Sequence, residues 1–128
     1  MEVSQLQISW NDKDPIYRQL RDRLVELILE GVYRDGDVLP SVRQVASDLR
    51  INPITVSKAY QLLVDESLVE KRRGLGMYVG EGATDRLLQG ERDRFLLEEW
   101  PLVCERIERL GLSVDDLITG HKGGAGHD

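Results

Sequence analysis

Apolar residues recur with a helical period along most of this chain and with a strand period in a few short stretches. Ile16, Leu20, Leu24, Leu27 and Ile28 repeat at helical spacing, with Arg18, Arg21, Asp22 and Glu26 between them. That pattern predicts an amphipathic helix that buries one stripe. Asp14 is a good N-cap, Pro15 suits the first helical position, and Gly31 is a natural stop. A turn follows at Asp35-Gly36-Asp37. Val42, Val45, Ala46 and Leu49 then sit at i, i+3, i+4 and i+7, a helix of about two turns. Ser41 and Gln44 form an S-x-x-Q capping pattern at its start. Arg50-Ile51 makes a tight turn, and Asn52-Pro53 opens a further helix with Val56, Ala59, Tyr60 and Leu63 on its buried side. Leu68 to Arg72 and Leu75 to Val79 read as two strands joined through Arg73-Gly74. Leu6, Ile8 and Trp10 alternate with polar residues, which predicts a short N-terminal strand over 6–10.

Composition shifts at Gly80-Glu81-Gly82. Beyond it, Leu87, Leu88, Phe95, Leu96 and Leu97 predict a helix, which Trp100-Pro101 should break or kink. Val103, Ile107 and Leu110 resume the helical spacing, Gly111 ends it, and Ser113 can cap a last short helix through Ile118. Residues 120–128 (GHKGGAGHD) are glycine-rich, which predicts a disordered tail. The expected class is α+β, mainly α. Two short helices, a tight turn and a basic-tipped hairpin make a winged helix-turn-helix over 1–80. A helical dimerisation extension over 81–119 follows.

Length and composition narrow the function. The chain has 128 residues, 41% hydrophobic and 31% charged, as expected for a globular protein. No run approaches the roughly 18–20 apolar residues that span a bilayer. Residues 1–10 lack the basic start and apolar core of a signal peptide, so a cytoplasmic location is expected. The single cysteine, Cys104, excludes an intrachain disulfide and a cysteine-based zinc site, and its apolar neighbours predict a buried thiol. His121 and His127 fall in the glycine-rich tail, so no metal site and no cofactor are expected.

The net charge of −6 argues at first against a nucleic-acid partner. Its distribution reverses that. Residues 40–80 hold six basic residues (Arg43, Arg50, Lys58, Lys71, Arg72, Arg73) and four acidic ones (Asp48, Asp65, Glu66, Glu70). The acid is concentrated after residue 80, away from the basic hairpin, and the local field is what docking feels.

DNA recognition needs side chains that reach base edges and donors that clamp phosphates. The second helix of the pair would enter the major groove by its N-terminal part. There Ile54, Thr55, Ser57, Lys58 and Gln61 lie off the apolar stripe. Thr55 and Ser57 can bond bases or phosphates, Ile54 can pack on a thymine methyl, and Lys58 can meet a phosphate. Ser41 and Arg43 begin the first helix of the pair, where free backbone N–H groups favour an anion. Ser41 also serves as the cap. At the hairpin tip, strand alternation sends Lys71 and Arg72 to opposite faces. Arg73 is placed to enter a minor groove, and Gly74 permits close backbone approach.

The run from Pro15 to Val79 resembles the DNA-binding domain of the GntR family of bacterial transcription regulators. The resemblance rests on LPS-x-R at 39–43, NP-x-TVSKAYQLL at 52–63 and RRG-x-G at 72–76. The tail, ending in RLGLSVDDLI at 109–118, resembles the YtrA-type subfamily, whose short C-terminal extension serves dimerisation. The resemblance implies that Arg43, Asn52, Thr55, Ser57, Arg73 and Gly74 align with DNA-contacting positions. Position 54 is often polar in that subfamily and here is Ile54. It further implies a dimer on a two-fold symmetric double-stranded operator, often near a transporter gene.

The leading expectation is a dimeric repressor of its own operon and a neighbouring transporter. The alternative is a winged-helix protein-interaction module. An enzyme is excluded by size: relatives with a pyridoxal-phosphate domain need far more chain after the hairpin than the segment here. Leu87, Leu88, Phe95, Val103, Ile107 and Leu110 are the expected dimer seam. A small-molecule effector, if one is used, is expected between subunits or domains, because so short an extension cannot enclose a ~300 Å³ pocket alone.

Overall fold

The computed structural model of the chain describes residues 6–119. In chain order it contains α1 (Ile16–Leu29), α2 (Val42–Leu49), α3 (Pro53–Asp65), β1 (Val69–Arg72), β2 (Gly76–Val79), α4 (Ala83–Arg94), a π-helical turn (Phe95–Glu99) and α5 (Trp100–Arg109). Residues 114–119 are helical again. Internal contacts divide the chain into two compact units that meet at Leu88 and Gln89. The tail over 120–128 and residues 1–5 lie outside the described residues.

In the first unit, α1 contributes Leu20, Leu24, Leu27 and Ile28 to one core, α2 contributes Val45 and Ala46, and α3 contributes Val56, Ala59, Tyr60 and Leu63. Leu68, Val69 and Val79 close the core from the hairpin side. The entry to α1 differs from expectation. Asp14 does not cap it, and Pro15 holds the cap position without a side-chain bond. Asn11 Oδ1 instead accepts from the N–H groups of Lys13 (2.8 Å) and Asp14 (3.2 Å) and tightens the approach. Buried Gln19 reaches back from the first turn and donates to the carbonyls of Asn11 (3.0 Å) and Asp14 (2.8 Å). Gly31, at φ +83°, ends the helix as expected.

The predicted strand over 6–10 does not form. Leu6 is fully buried, and Ile8 and Trp10 pack half-buried on the same core. The alternation therefore records one-sided burial of a segment that pairs with no strand. The edge of β2 is taken by residues the pattern marked only as a turn and its exit. Val79 N–H donates to Asp37 O and Leu39 N–H to Met77 O, both at 2.8 Å, with Val38 bridged to Tyr78.

The helix pair forms as its caps dictate. Ser41 Oγ accepts from Gln44 N–H at 3.1 Å, and Asn52 Oδ1 from Ile54 N–H at 2.8 Å. Between them Arg50 takes the left-handed conformation at φ +57°, and Ile51 N–H closes the turn on Ala46 O at 3.0 Å. Such a conformation is strained for a residue with a Cβ, and only a tight turn repays it.

The first unit runs past the predicted boundary at Gly80. Asp35 caps the start of α4 from far along the chain: its Oδ2 accepts from Gly82 N–H at 2.8 Å, and its Oδ1 from the Thr84 hydroxyl at 3.4 Å. Arg86 donates to the carbonyl of Ser67, Ala83 is buried, and Leu87 packs against the core.

In the second unit the helix is not broken at Pro101. A proline has no N–H and crowds the carbonyl four residues earlier. The preceding turn widens to π geometry, with Trp100 N–H donating to Phe95 O. Gly111, at φ +72°, ends α5, and Ser113 Oγ accepts from Asp116 N–H at 3.1 Å as the predicted cap. Cys104 is half-buried rather than buried, because no residue from 89 to 119 is buried at all.

Candidate nucleic-acid interface

The burial of Val56, Ala59, Tyr60 and Leu63 fixes the rotation of α3 about its axis. That leaves Ile54, Ser57, Lys58 and Gln61 exposed and Thr55 half-buried. Ile54 is 66% exposed, a large apolar side chain offered to solvent at the N-terminal end of the helix. Lys58 stays exposed, with its ammonium 5.5 Å from the centre of the Tyr17 ring. That cation–π contact narrows the search of a long side chain without neutralising it.

Ser41 spends its hydroxyl oxygen on the α2 cap, and Asn52 spends Oδ1 on the α3 cap. Each retains donor capacity, the hydroxyl hydrogen and the amide NH2, which are the groups a phosphate oxygen would take. Arg43 is exposed on the first turn of α2 and forms no ion pair among the described residues.

One buried hydrogen bond sets the two helix starts relative to each other. Tyr60 Oη donates to Pro40 O at 2.5 Å, joining the middle of α3 to the residue just before the α2 cap. Burial, with Tyr33 adding to it, pushes the Tyr60 phenol well above its ordinary value, so it is a permanent donor at neutral pH.

Strand register settles the hairpin. Lys71 opposes Met77, and Arg72 opposes Gly76. Alternation does place Lys71 and Arg72 on opposite faces. The Arg72 guanidinium lies 4.2 Å from the centre of the Tyr78 ring and 3.6 Å from the Glu70 carboxylate. Arg72 is thus engaged on the hairpin's own face, whereas Arg73 stands exposed at the tip with no ion pair among the described residues. Gly74 adopts φ +74° there, and a Cβ at this position would meet nothing within 4 Å. The tip is open as well as left-handed.

Together, α2, α3 and the hairpin enclose a concavity of about 460 Å³ whose lining includes Ser41, Ser57, Gln61, Lys71, Arg72 and Leu75. Of the predicted contacts it brings together Ser41, Ser57, Arg72 and Gly74. Arg43, Asn52, Ile54, Thr55, Lys58 and Arg73 are not part of its lining. Gln61, expected on the exposed face of the helix, and Lys71, expected at the hairpin tip, also line it, whereas Leu75 was missed as a site residue. Leu75 reads as the start of a strand because it is apolar, but the register leaves it in the loop. The glycines on either side were the signal.

The candidate seam residues divide. Leu87 is half-buried against the first unit's core. Leu88 and Ile107 are half-buried, and Phe95, Val103 and Leu110 are 43%, 42% and 62% exposed. Among the described residues no helix is long and apolar enough to cross a membrane.

Residues 16–79 match the family model of bacterial regulatory proteins, gntR family. The chain is 34% identical to the HTH-type transcriptional repressor YtrA of Bacillus subtilis over 96% of its own length and 99% of that protein. Among solved structures it is similar to YtrA from Sulfolobus acidocaldarius, a GntR-family transcription factor, at 37% identity and a TM-score of 0.57, covering 72% of this chain and 97% of that one. A transcriptional regulator from Oenococcus oeni matches at a TM-score of 0.68 and 28% identity, over 93% of this chain and 98% of that chain. The helix pair, the basic hairpin and these matches agree: the chain belongs to the gntR family of bacterial regulatory proteins and is a DNA-binding transcription regulator with a winged helix-turn-helix.

Proposed function

We propose that the protein is a homodimeric repressor, acting in the cytoplasm on a two-fold symmetric operator of its own operon and a neighbouring transporter. Each first unit sets the N-terminal part of α3 in the major groove and the hairpin tip in the adjacent minor groove. The observation that carries this reading is that the α2 start, the polar face of α3 and the basic hairpin tip are all exposed on one unit, with Ser41, Ser57, Arg72 and Gly74 sharing one concavity between them. A duplex is a surface that meets all three elements at once. Arg43, Ser57 and Lys58 supply base and phosphate contacts from the helices, and Arg73 and Gly74 supply the tip. Ile54 offers an apolar contact to a thymine methyl.

Dimerisation is supported by the second unit's lack of a core. No residue from 89 to 119 is buried, while Phe95, Leu96, Leu97, Leu102 and Leu110 are exposed. So short a helical segment does not bury enough apolar surface alone to hold its structure. A second copy covers it by symmetry, and protein symmetry imposes operator symmetry. Repression follows the named activity of the Bacillus subtilis relative.

The test is a random-sequence selection with the full chain, followed by fluorescence anisotropy on the enriched duplex. The selected duplex should carry two related half-sites and bind at least about 1,000-fold tighter than a scramble. A fragment ending at Leu88 should lose most of that affinity. If the fragment bound as tightly as the full chain, the dimer reading would fail. If selection at low salt enriched nothing, the operator reading would fail.

A further inference from the structure

The hairpin tip holds a residue that folding does not use. Leu75 is 65% exposed. Arg72 pairs with Gly76, so residues 73–75 form a three-residue loop, closed by Leu75 N–H donating to Arg72 O at 2.8 Å. Gly74 at φ +74° and Gly76 at φ +106° bracket the leucine and give the loop its reversal. The leucine itself is not needed for that reversal, and most of its surface stays in water. Two residues before it stands exposed Arg73, while Arg72 is held on the hairpin face by Tyr78 and Glu70. The tip therefore carries an exposed cation and an exposed apolar side chain two residues apart, with Leu75 at the edge of the concavity between the helices and the hairpin. That pair of chemistries suits a minor groove: the cation is drawn by the groove's negative potential, and the wedge lies against sugars and base edges.

We propose that Leu75 is a specificity-determining residue that selects A·T over G·C pairs where the tip enters the minor groove. The inference rests on the placement of the tip proposed above. In the minor groove A·T and T·A pairs show only acceptors, whereas G·C adds the guanine 2-amino donor. An aliphatic side chain pressed on that floor offers the amino group no acceptor and shuts out the water that would serve. A donor desolvated without a partner is penalised. Leu75 thus reads base composition by exclusion, a kind of contact that the polar residues of α3 do not make.

The experiment uses the full chain and the duplex enriched from a random-sequence pool. At each A·T pair of its flanks, G·C and inosine·C are substituted in turn. Inosine keeps the major-groove groups of guanine and lacks the 2-amino group. At the tip's position, G·C should weaken binding about tenfold, and inosine·C should restore it to within about threefold of A·T. In Leu75→Ser the G·C penalty should shrink below about threefold. Arg73→Ala should weaken binding to all three duplexes alike and lower the salt dependence. Equal penalties for G·C and inosine·C at every flank position, or an unchanged G·C penalty in Leu75→Ser, would overturn the inference. If Arg73→Ala weakens binding while Leu75→Ser changes no discrimination, this inference fails and the placement of the tip survives. If neither variant changes binding at all, the placement fails and the inference falls with it.

Discussion

The hydrogen bond from Tyr60 to Pro40 can be tested against a built-in control. Tyr60 is fully buried, and its hydroxyl meets the Pro40 carbonyl at 2.5 Å. Tyr33 is also fully buried, and its hydroxyl has no hydrogen-bond partner among the described residues. The two rings belong to one core, so Tyr→Phe removes one buried hydroxyl at each, hydrogen-bonded at Tyr60 and without a partner among the described residues at Tyr33. At Tyr60 the change strips a buried carbonyl of its donor, which costs about 1–3 kcal/mol. At Tyr33 it removes a hydroxyl whose desolvation nothing offsets, so the expected effect is between zero and a stabilisation of about 1 kcal/mol. For a unit of this size, Tyr60→Phe should lower the melting temperature by roughly 10 °C, and Tyr33→Phe should leave it level or raised. Urea melts at one fixed protein concentration keep any dimer contribution constant. If Tyr33→Phe destabilised as much as Tyr60→Phe, ring packing rather than the staple would carry the effect, and the account of how the helix starts are positioned would be wrong.

The same two groups set an alkaline limit. Burial raises both phenols above the ordinary value of 10.0. A group with a raised pKa in the fold gives stability that is fully present below its unfolded pKa. That stability is lost as pH rises from there through the folded value. Stability should therefore fall above about pH 10, and the fall should be shallower in Tyr60→Phe. An equally steep fall in that variant would show that other groups carry it.

Three further outcomes follow from local geometry. Asp35→Ala removes the cap of α4 and should cost about 1 kcal/mol, read as a lower melting temperature; an unchanged melt would show that Gly82 and Thr84 find water as readily. Arg50→Gly relieves a left-handed residue at φ +57° and should raise the urea midpoint, by up to about 1 kcal/mol of stability, whereas a lower midpoint would mean that the Arg50 side chain makes an offsetting contact. Arg73→Ala should reduce the slope of log affinity against log salt by about one, and Arg72→Ala should reduce it less, because Arg72 is engaged with Tyr78 and Glu70; equal slopes would remove the distinction drawn between them.

What the chain shows locally, the fold follows. The caps at Ser41 and Asn52 need a side-chain oxygen two or three residues from an N–H, and the buried stripe of α3 needs only its own spacing. Both are settled within one or two turns, so pattern alone reveals them. The misreadings need information from farther away. Leu6, Ile8 and Trp10 alternate as a strand does, but which segment lies along the hairpin is decided elsewhere in the chain, and it is Asp37 and Leu39 that bond β2. Asp35 caps α4 through Gly82, 47 residues later, and no window contains both ends of that bond. Leu75 looks like a strand residue because an apolar side chain bound for a groove has the same chemistry as one bound for a core. The extension makes the point most plainly. Leu87 and Phe95 fall in one helical pattern, yet Leu87 packs on its own chain's core while Phe95 stands exposed. Periodicity reports that a face must be covered. It carries no mark of whether the cover is the same chain, a second copy or a base pair, because all three exclude water from the same atoms.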